Sequence, residues 1–317
     1  MENAEFMTTI KDIAQRLGVA PSTVSMALKD SPEIGRETKE AIKRAAREMN
    51  YVPNPFGRAL QSRRSSLVGY LTSRVTDSFF DQLLQGAGET AVKHGYGLLT
   101  GVVSNGEELK SQLEIFREMR LEGMVVTLPG LISPKTLALL DKSGIPPVFC
   151  SGRGGPNHTF VMCDDIRGGE LAAEHLISRG HRRLACQKRD EQRLLGNRNA
   201  IRKHRLPDPL LFGTADELAE LLGNHPDVTA VTAYSDNEAI YLHNAIRKLG
   251  LRIPEDIALV GYDDLWFAEL ENFRFTTVAQ PKREMGRQAM EVLFELAGGG
   301  TPGPRLLAPE LIVRESA

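Results

Sequence analysis

The chain has 317 residues, of which 41% are hydrophobic and 25% charged, a composition typical of soluble globular proteins with two or three packed units. Its net charge of −2 excludes a uniformly basic nucleic-acid-binding protein, although residues 1–66 carry 11 Lys and Arg against 8 Asp and Glu. The three cysteines lack metal-ligand spacing, and we find neither a signal peptide nor an apolar stretch long enough to span a membrane. We therefore expect a cytoplasmic protein with reduced thiols and no membrane partner.

Residues 9–29 carry the pattern of two short helices joined by a glycine. Thr9 and Asp12 form a potential capping box, and Gly18 stands where the first helix should end. Pro21 opens the second helix, because a missing N–H is tolerated there. The apolar positions predicted to face inward are Ile10, Ile13, Ala14, Leu17, Val24, Ala27 and Leu28. This plan is that of a helix-turn-helix, whose second helix enters the DNA major groove, and an ordinary helical hairpin is the alternative.

A third helix is predicted over about 36–49, followed by a proline-rich extended stretch at 50–55. Residues 56–60 could form one or two helical turns, and the basic, polar residues 61–66 resemble a linker. Leu60 is apolar, yet the pattern shows no core to which it would belong. A linker leucine that docks on the next domain is one explanation.

Strands and helices alternate from Leu67 onward, which favours doubly wound parallel sheets covered on both faces. The strand candidates are 67–71, 97–103, 123–128, 147–150, 183–186, 230–233, 257–262 and 311–313. The helical stretches between them include 79–94, 107–119, 168–179, 237–248 and 282–296. About 250 residues of this pattern exceed one compact unit, so we predict two lobes with a ligand at the carboxyl ends of the strands.

Catalytic signatures are missing from the sequence. Gly86, Gly88 and Ala91 match a dinucleotide-binding pattern superficially, but they fall inside a helix, where close helix packing explains them better. No phosphate loop, zinc-protease motif or nucleophile elbow is present. The paired carboxylates Asp164–Asp165 and Asp263–Asp264 follow apolar strands, so ligand hydrogen bonding or helix capping is at least as good an explanation as catalysis. We expect no enzymatic activity and no cofactor.

Several segments in consistent order resemble the lactose-repressor (LacI/GalR-type) family of bacterial transcription regulators. They are TIKDIAQRLGVAPSTVSMALK, REMNYVPNPFGRAL, GHRRLA, GLRIPEDIALVGYDD and TTVAQPKREMGRQAMEVL. The resemblance implies an all-α helix-turn-helix head (1–51), a hinge helix and linker (52–66), and a two-lobed α/β core like a periplasmic binding protein (67–317). It places the first lobe at about 67–163 and 281–298, and the second at about 164–280 and 303–317.

The same resemblance implies a regulator, in most cases a repressor, that binds a pseudo-palindromic operator as a homodimer. Leu60 would then be the hinge leucine that wedges between base pairs in the minor groove. The DNA-contacting residues carried over are Thr9, Pro21, Ser22, Thr23, Ser25, Met26, Tyr51, Asn54, Arg58 and Leu60. Met26 stands where Arg or His is common, and a thioether cannot form a bidentate contact with guanine. We therefore expect a thymine methyl or no contact there. Gly57 replaces a common Ala, so the hinge helix should fold only on DNA.

The implied effector is a small molecule, in most cases a sugar, bound between the lobes. The residues carried over as its contacts are Ser73, Phe79, Phe80, Arg193, Asp236 and Asp263. Two departures stand out: the loop 187–192 is shorter than usual in the family, and Asn197 replaces an expected aromatic residue. The pocket is therefore either trimmed for an unusual ligand or weakened in sensing. A solute-binding protein has a similar core, but it would have no use for residues 1–60.

Overall fold

The computed structural model describes residues 8–51, 65–73 and 78–317, and its contacts divide the chain into two compact units, 1–66 and 67–317. In the first unit, here called the head, the described residues form three helices: α1 (Ile10–Leu17), α2 (Pro21–Leu28) and α3 (Arg36–Glu48). The predicted helix-turn-helix is therefore confirmed as a structure.

Local signals explain where the head's helices begin and end. The Thr9 hydroxyl accepts a hydrogen bond from the Asp12 N–H, and the Asp12 carboxylate accepts one from the Thr9 N–H at 2.7 Å, so the capping box is confirmed. Gly18 ends α1 with φ 65°, a left-handed conformation that glycine adopts without strain. Pro21 is the first residue of α2. The buried core is small: Ile13, Ala14, Val24, Ala27, Ile42, Ala45 and Ala46.

The second unit contains two six-stranded sheets. The first has the order β11-β5-β4-β3-β1-β2, with all neighbouring pairs parallel. Its strands are β1 (Leu67–Thr72), β2 (Gly97–Val102), β3 (Met124–Thr127), β4 (Pro147–Cys150), β5 (Phe160–Cys163) and β11 (Arg305–Leu307). The helices of this first lobe are α4 (Ser78–Lys93), α5 (Gly106–Glu118), α6 (Pro134–Ser143) and α11 (Lys282–Ala297).

The second sheet has the order β12-β10-β9-β8-β6-β7 and is parallel except for its edge strand β12. Its strands are β6 (Leu184–Gln187), β7 (Leu210–Phe212), β8 (Ala230–Thr232), β9 (Ala258–Asp263), β10 (Thr276–Ala279) and β12 (Glu310–Ile312). Helices α7 (Asp165–Ser178), α8 (Glu191–Lys203), α9 (Ala215–Asn224) and α10 (Asp236–Lys248) belong to this second lobe. The predicted doubly wound, two-lobed α/β fold is confirmed.

The chain passes between the sheets three times, after β5, after β10 and between β11 and β12. The first and third crossings lie side by side: Asp164 at the first crossing donates its N–H to the carbonyl of Leu307 at the third, at 2.8 Å. This arrangement corrects one predicted boundary: residues 303–317 were assigned to the second lobe, but β11 pairs with β5 in the first sheet. Only Ala308 and Pro309 separate β11 from β12, so no helix marks the crossing in the sequence.

One helix pair in each lobe packs backbone against backbone through glycines. In the first lobe, a Cβ at Gly86 would lie 1.9 Å from the Arg283 carbonyl oxygen, and one at Gly286 would lie 2.0 Å from that of Leu83. The prediction that Gly86 serves helix packing is thereby confirmed. In the second lobe, Gly169 of α7 and Gly196 of α8 are equally crowded by carbonyl oxygens of the opposite helix, at 2.1 Å and 2.0 Å. Both lobes therefore hold rigid helix pairs next to the cleft.

Candidate functional site

The outer face of α2 presents polar residues, while Val24 and Ala27 anchor its inner face in the core of the head. Of the residues predicted to contact DNA, Pro21 and Ser22 are exposed, and Thr23, Ser25 and Met26 are half-buried. An exposed N-terminal end on a short, anchored helix is the geometry by which a recognition helix reaches base edges.

The other predicted DNA contacts lie around this helix or outside the described residues. Thr9 is exposed but engaged in the capping box. Tyr51 is half-buried, packs against the core of the head, and donates its N–H to the Ala46 carbonyl at 2.8 Å. Asn54, Arg58 and Leu60 fall outside the described residues, so their contacts stay predictions.

A cavity of about 580 Å³, here called the cleft, lies between the carboxyl ends of the two sheets. Its first-lobe wall consists of Phe79, Phe80, Pro129, Ser151, Gly152 and Met162. Its second-lobe wall consists of Asp165, Arg189, Asp190, Arg193, Tyr234, Ser235, Asn237, Glu238, Asp263 and Gln280. Most of these residues directly follow a strand, which is where ligands bind in open parallel sheets.

Arg193 is the centre of the second-lobe wall. Its Nε donates to Asp165 Oδ1 at 2.9 Å, its Nη1 donates to the Tyr234 carbonyl, and Asp263 Oδ1 lies 3.7 Å from Nη1. The guanidinium carbon stands 3.7 Å above the centre of the Tyr262 ring, and the Tyr262 hydroxyl donates to Asp165 at 2.9 Å. The guanidinium is therefore held in one orientation by two carboxylates and an aromatic face.

Burial and charge compete at this cluster. Burial disfavours the charged guanidinium, but the carboxylates of Asp165 and Asp263 outweigh it and raise the pKa of Arg193. Burial raises the pKa of Asp263 to about 6, although the Arg193 charge acts in the opposite direction. The carboxyl group of Asp263 is therefore harder to ionise than that of an exposed aspartate.

The backbone at the end of β9 is strained where it meets the cleft. Asp263 and Asp264 have φ values of 102° and 49°, a region that non-glycine residues rarely adopt. Gln280 Nε2 donates to Asp263 Oδ1 at 2.7 Å, and the buried Lys282 Nζ donates to the carbonyls of both aspartates. Arg314 donates to Asp264 Oδ1 at 2.7 Å. These bonds hold the carboxylate of Asp263 at the cleft.

Asp236 and Ser73, predicted as effector contacts, are not among the lining residues. Asp236 is fully buried: its two carboxylate oxygens accept hydrogen bonds from the Leu265 N–H and the Thr277 hydroxyl, each at 2.8 Å. Its side chain turns back between α10 and the sheet, and burial together with Asp263 raises its pKa to about 7. Ser73 donates to the Pro129 carbonyl at 3.4 Å. The prediction is thus corrected for Asp236, which joins elements of the second lobe instead of lining the cleft.

Phe79, Phe80, Arg193 and Asp263 do line the cleft, and the two rings pack edge to face with centroids 5.0 Å apart. The sequence analysis considered Asp165 for ligand hydrogen bonding, but it missed most of the second-lobe wall, including Asp190, Tyr234, Asn237, Glu238 and Gln280. Their common signal is position, because each comes within a few residues of a strand's carboxyl end.

Comparisons with known proteins agree with this geometry. Residues 9–54 match the model for bacterial regulatory proteins of the lacI family, and residues 173–317 match a periplasmic binding protein-like domain. The HTH-type transcriptional repressor PurR of Vibrio vulnificus is 30% identical over 332 aligned positions, covering 98% of both chains. The chain belongs to the lacI family. It is a DNA-binding transcription regulator with a helix-turn-helix head and an effector-binding type of core.

Other lacI-family members align over the same length. The Escherichia coli K12 repressor CytR is 28% identical over 98% of this chain and 97% of its own. The structure of the regulator CelR in complex with cellobiose superposes with a TM-score of 0.71 at 30% identity, covering 98% of this chain and all of that one. The lac repressor dimer bound to operator and an anti-inducer has a TM-score of 0.85 at 24% identity, covering 98% and 99%, a likeness of fold. The predicted family is confirmed.

The connection from β6 to α8 is short. Only Lys188, Arg189 and Asp190 separate the two elements. Asn197, which replaces the aromatic residue expected there, is 5% exposed and donates to the Arg193 carbonyl at 3.0 Å.

In the described part of the chain, no helix combines the length and apolarity needed to cross a membrane. Nor do three or more His, Cys, Asp or Glu side chains of that part gather into a group that could hold a metal ion.

Proposed function

We propose that this regulator is a repressor that binds a pseudo-palindromic operator as a homodimer and responds to a small hydroxylated molecule in the cleft. The observation that carries the proposal is the exposed N-terminal end of α2, anchored by Val24 and Ala27, in a chain that aligns end to end with the repressors PurR and CytR. Helix-turn-helix dimers contact two half-sites about one helical turn apart. A protein that binds chromosomal DNA acts in the cytoplasm, where its buried thiols stay reduced.

On this proposal, Pro21, Ser22 and Met26 contact base edges. Polar groups around Thr9, Thr23 and Ser25 contact the sugar-phosphate backbone of the DNA. Met26 meets a thymine methyl or no base, because a thioether has no donor for guanine. The residues proposed for the minor groove are Tyr51, Asn54, Arg58 and Leu60, with Leu60 as the apolar wedge.

Selection of binding sites from random duplexes, followed by fluorescence anisotropy on the selected sequence, tests the DNA proposal. We expect a palindrome, affinity that falls with salt, and at least a tenfold loss in Leu60→Ala, because the wedge lets the bent duplex meet more protein surface. Leu249→Ala removes an exposed leucine from the surface of the two-lobed unit, outside the head, and serves as the matched control. Equal binding by both variants, or a strict guanine opposite Met26, contradicts the assignment.

The cleft supports the effector half of the proposal. Its first-lobe wall offers two phenyl rings, and its second-lobe wall offers a fixed guanidinium, carboxylates and amides, a combination that suits a ligand with many hydroxyl groups. The related regulator CelR was solved with cellobiose, which makes sugars the first compounds to test. The cleft shows polar groups arranged for binding, and we propose binding without chemical transformation.

Differential scanning fluorimetry with cellobiose, other sugars and nucleobases tests the cleft. A binding compound should raise the melting temperature of the wild type and shift it less in Asn237→Ala, which removes an exposed amide from the second-lobe wall. Arg193→Ala is a second probe, provided that its fold is verified by circular dichroism. If no compound acts, the alternative is a regulator with a degenerate pocket. The internal pairing of Arg193 with Asp165 and Asp263 specifically favours that alternative.

A further inference from the structure

Three helices of the second lobe begin at the cleft, and side chains of the protein already occupy their N-termini. Asp164 caps α7 by accepting from the Arg167 N–H at 3.0 Å, and Ser235 caps α10. Asp190 caps α8 by accepting from the N–H groups of Gln192 and Arg193, each at 2.9 Å. The free N–H groups at a helix start ordinarily attract an anion. Here the anions at two of the three helices are carboxylates of the chain itself.

Both guanidiniums of the second-lobe wall are likewise already paired with carboxylates of the chain. Arg193 pairs with Asp165 and Asp263, as described above, and Arg189 pairs with Glu238. Gln187 also donates to Glu238, at 2.9 Å, and fixes that carboxylate. Among the described lining residues, the four carboxylates of Asp165, Asp190, Glu238 and Asp263 therefore face two guanidiniums, neither of which is unpaired.

The described residues of the first-lobe wall, which leave out 74–77, do not change this balance. Its described lining residues carry no charged side chain, and Phe79, Phe80 and Met162 supply an apolar surface. A phosphate or carboxylate in the cleft would meet an excess of negative charge at short range, with no unpaired cation among the described lining residues to compensate it.

We infer that the cleft selects an uncharged ligand with one apolar face and excludes phosphorylated and carboxylated compounds, and that Asp190 and Glu238 are the residues that impose this exclusion. The inference rests on the proposed function of the cleft as an effector site. It goes further because it names the charge class of the ligand and the side chains that determine it. The apolar face lies against the phenyl rings, and the hydroxyl or amide groups meet the second-lobe wall.

The double variant Asp190→Asn/Glu238→Gln tests this inference with inorganic phosphate as the probe. Asparagine keeps the capping oxygen of α8, so the helix should persist while its charge is removed. Glutamine keeps the shape of residue 238 and releases Arg189 from its ion pair. The matched control Asp216→Asn/Glu220→Gln removes the same two charges from α9, whose residues do not line the cleft.

Phosphate binding by the full chain is measured by isothermal titration calorimetry at constant ionic strength. We expect the double variant to bind phosphate at least about tenfold more tightly than the wild type and the control, which should behave alike. Phosphate bound at the head would appear equally in all three proteins and cancels from the comparison. A double variant that gains no affinity overturns the inference. So does wild-type binding of phosphate or glucose 6-phosphate that Asn237→Ala weakens.

The outcome is separable from that of the proposed function. Operator binding is measured without effector, so its loss would not bear on the charge of the cleft. Wild-type phosphate binding at the cleft would overturn the charge class and leave the cleft as a ligand site.

Discussion

The two walls of the cleft belong to lobes of the same architecture, yet different forces hold them. Phe79 and Phe80 of the first-lobe wall are also part of the lobe's hydrophobic cluster, together with Met285 and Met290 of α11. In the second-lobe wall, Arg193 and its neighbours are held by ion pairs and hydrogen bonds to one another. The first wall is therefore stabilised by burial, which has little directionality, whereas the second depends on each charge keeping its partner.

The difference shows how one fold can hold a rigid scaffold and a selective surface together. The glycine-packed helix pairs are equivalent in the two lobes, so the scaffold is shared. On our inference about the cleft, ligand selectivity belongs to the second lobe, where side chains are fixed in direction. Five predictions test the contrast, from the largest expected effect to the smallest.

Arg193→Ala should lower the free energy of unfolding by about 3–5 kcal/mol at about pH 8, because it leaves Asp165 and Asp263 without a cation. The pKa of Asp263 is already raised to about 6, so its favourable contribution is present below about pH 4 and is lost as the pH rises through 6. Loss of Arg193 raises that pKa further, and the penalty should shrink at about pH 5. Urea unfolding at both pH values measures it.

Phe80→Ala is the counterpart of that variant on the first-lobe wall. Phe80 is 8% exposed, and its truncation should cost about 3–5 kcal/mol at either pH because no charge is involved. If Arg193→Ala were equally independent of pH, the contrast between the walls would be lost.

Gly86→Ala and Gly196→Ala should each lower the free energy of unfolding by about 1–3 kcal/mol, since a new Cβ would overlap a carbonyl oxygen of the partner helix. Similar losses in the two lobes would support a shared scaffold. Gly223→Ala is the control: nothing lies within 4 Å of its Cβ position, and alanine in a helix should stabilise by about 0.5–1 kcal/mol. Thermal and urea unfolding distinguish these outcomes, and a neutral Gly196→Ala would contradict the packing.

The change in the free energy of unfolding caused by Asp236→Asn should be more favourable at about pH 8 than at about pH 5, by roughly 2 kcal/mol. Burial raises the pKa of Asp236 to about 7. Its contribution to stability is therefore full below about pH 4 and is lost as the pH rises through 7, a loss that asparagine does not incur. Asparagine can still accept from the Leu265 N–H. A difference that does not vary with pH, in urea titrations of both proteins, contradicts this account.

Arg189→Gln should change stability by less than about 1 kcal/mol, because half of the Arg189 side chain is exposed and its ion pair with Glu238 is screened. If the effect is small and disappears at about 1 M salt, then only the cluster around Arg193 in the second-lobe wall loses much stability when a charge loses its partner. A loss comparable with that of Arg193→Ala would extend the sensitive part to the whole wall.

Much of the fold was predictable because the signals are local. The capping box at Thr9, the glycine at position 18 and the proline at position 21 each act on neighbouring residues, and the longer apolar strands stand out in the sequence. Strands β5, β7, β10 and β11 were missed; with three or four residues each they are too short to show a period, although the equally short β4, β6, β8 and β12 were predicted. Helices α6, α8 and α9 were missed as well; in α8 the polar residues leave only a narrow buried face.

The cleft was predictable only in part, for a different reason. Its second-lobe wall extends from Asp165 to Gln280, and spacing along the chain does not show which strand ends meet. Asp236 shows the remaining difficulty. It follows a strand as the lining residues do, but its side chain points toward Leu265 and Thr277, and this direction is set by packing around the first turn of α10.

The three crossings between the sheets have a consequence for synthesis. Translation releases the chain from its N-terminus, and domains generally fold as they emerge. The first lobe begins at Leu67, but its core needs α11 and its sheet needs β11, both of which come after the second lobe's strand β10. The second lobe has all but its edge strand by Ala279. On the ribosome, the lobe that starts first must therefore wait until the parallel strands of the second lobe have emerged before its own core and sheet can be completed.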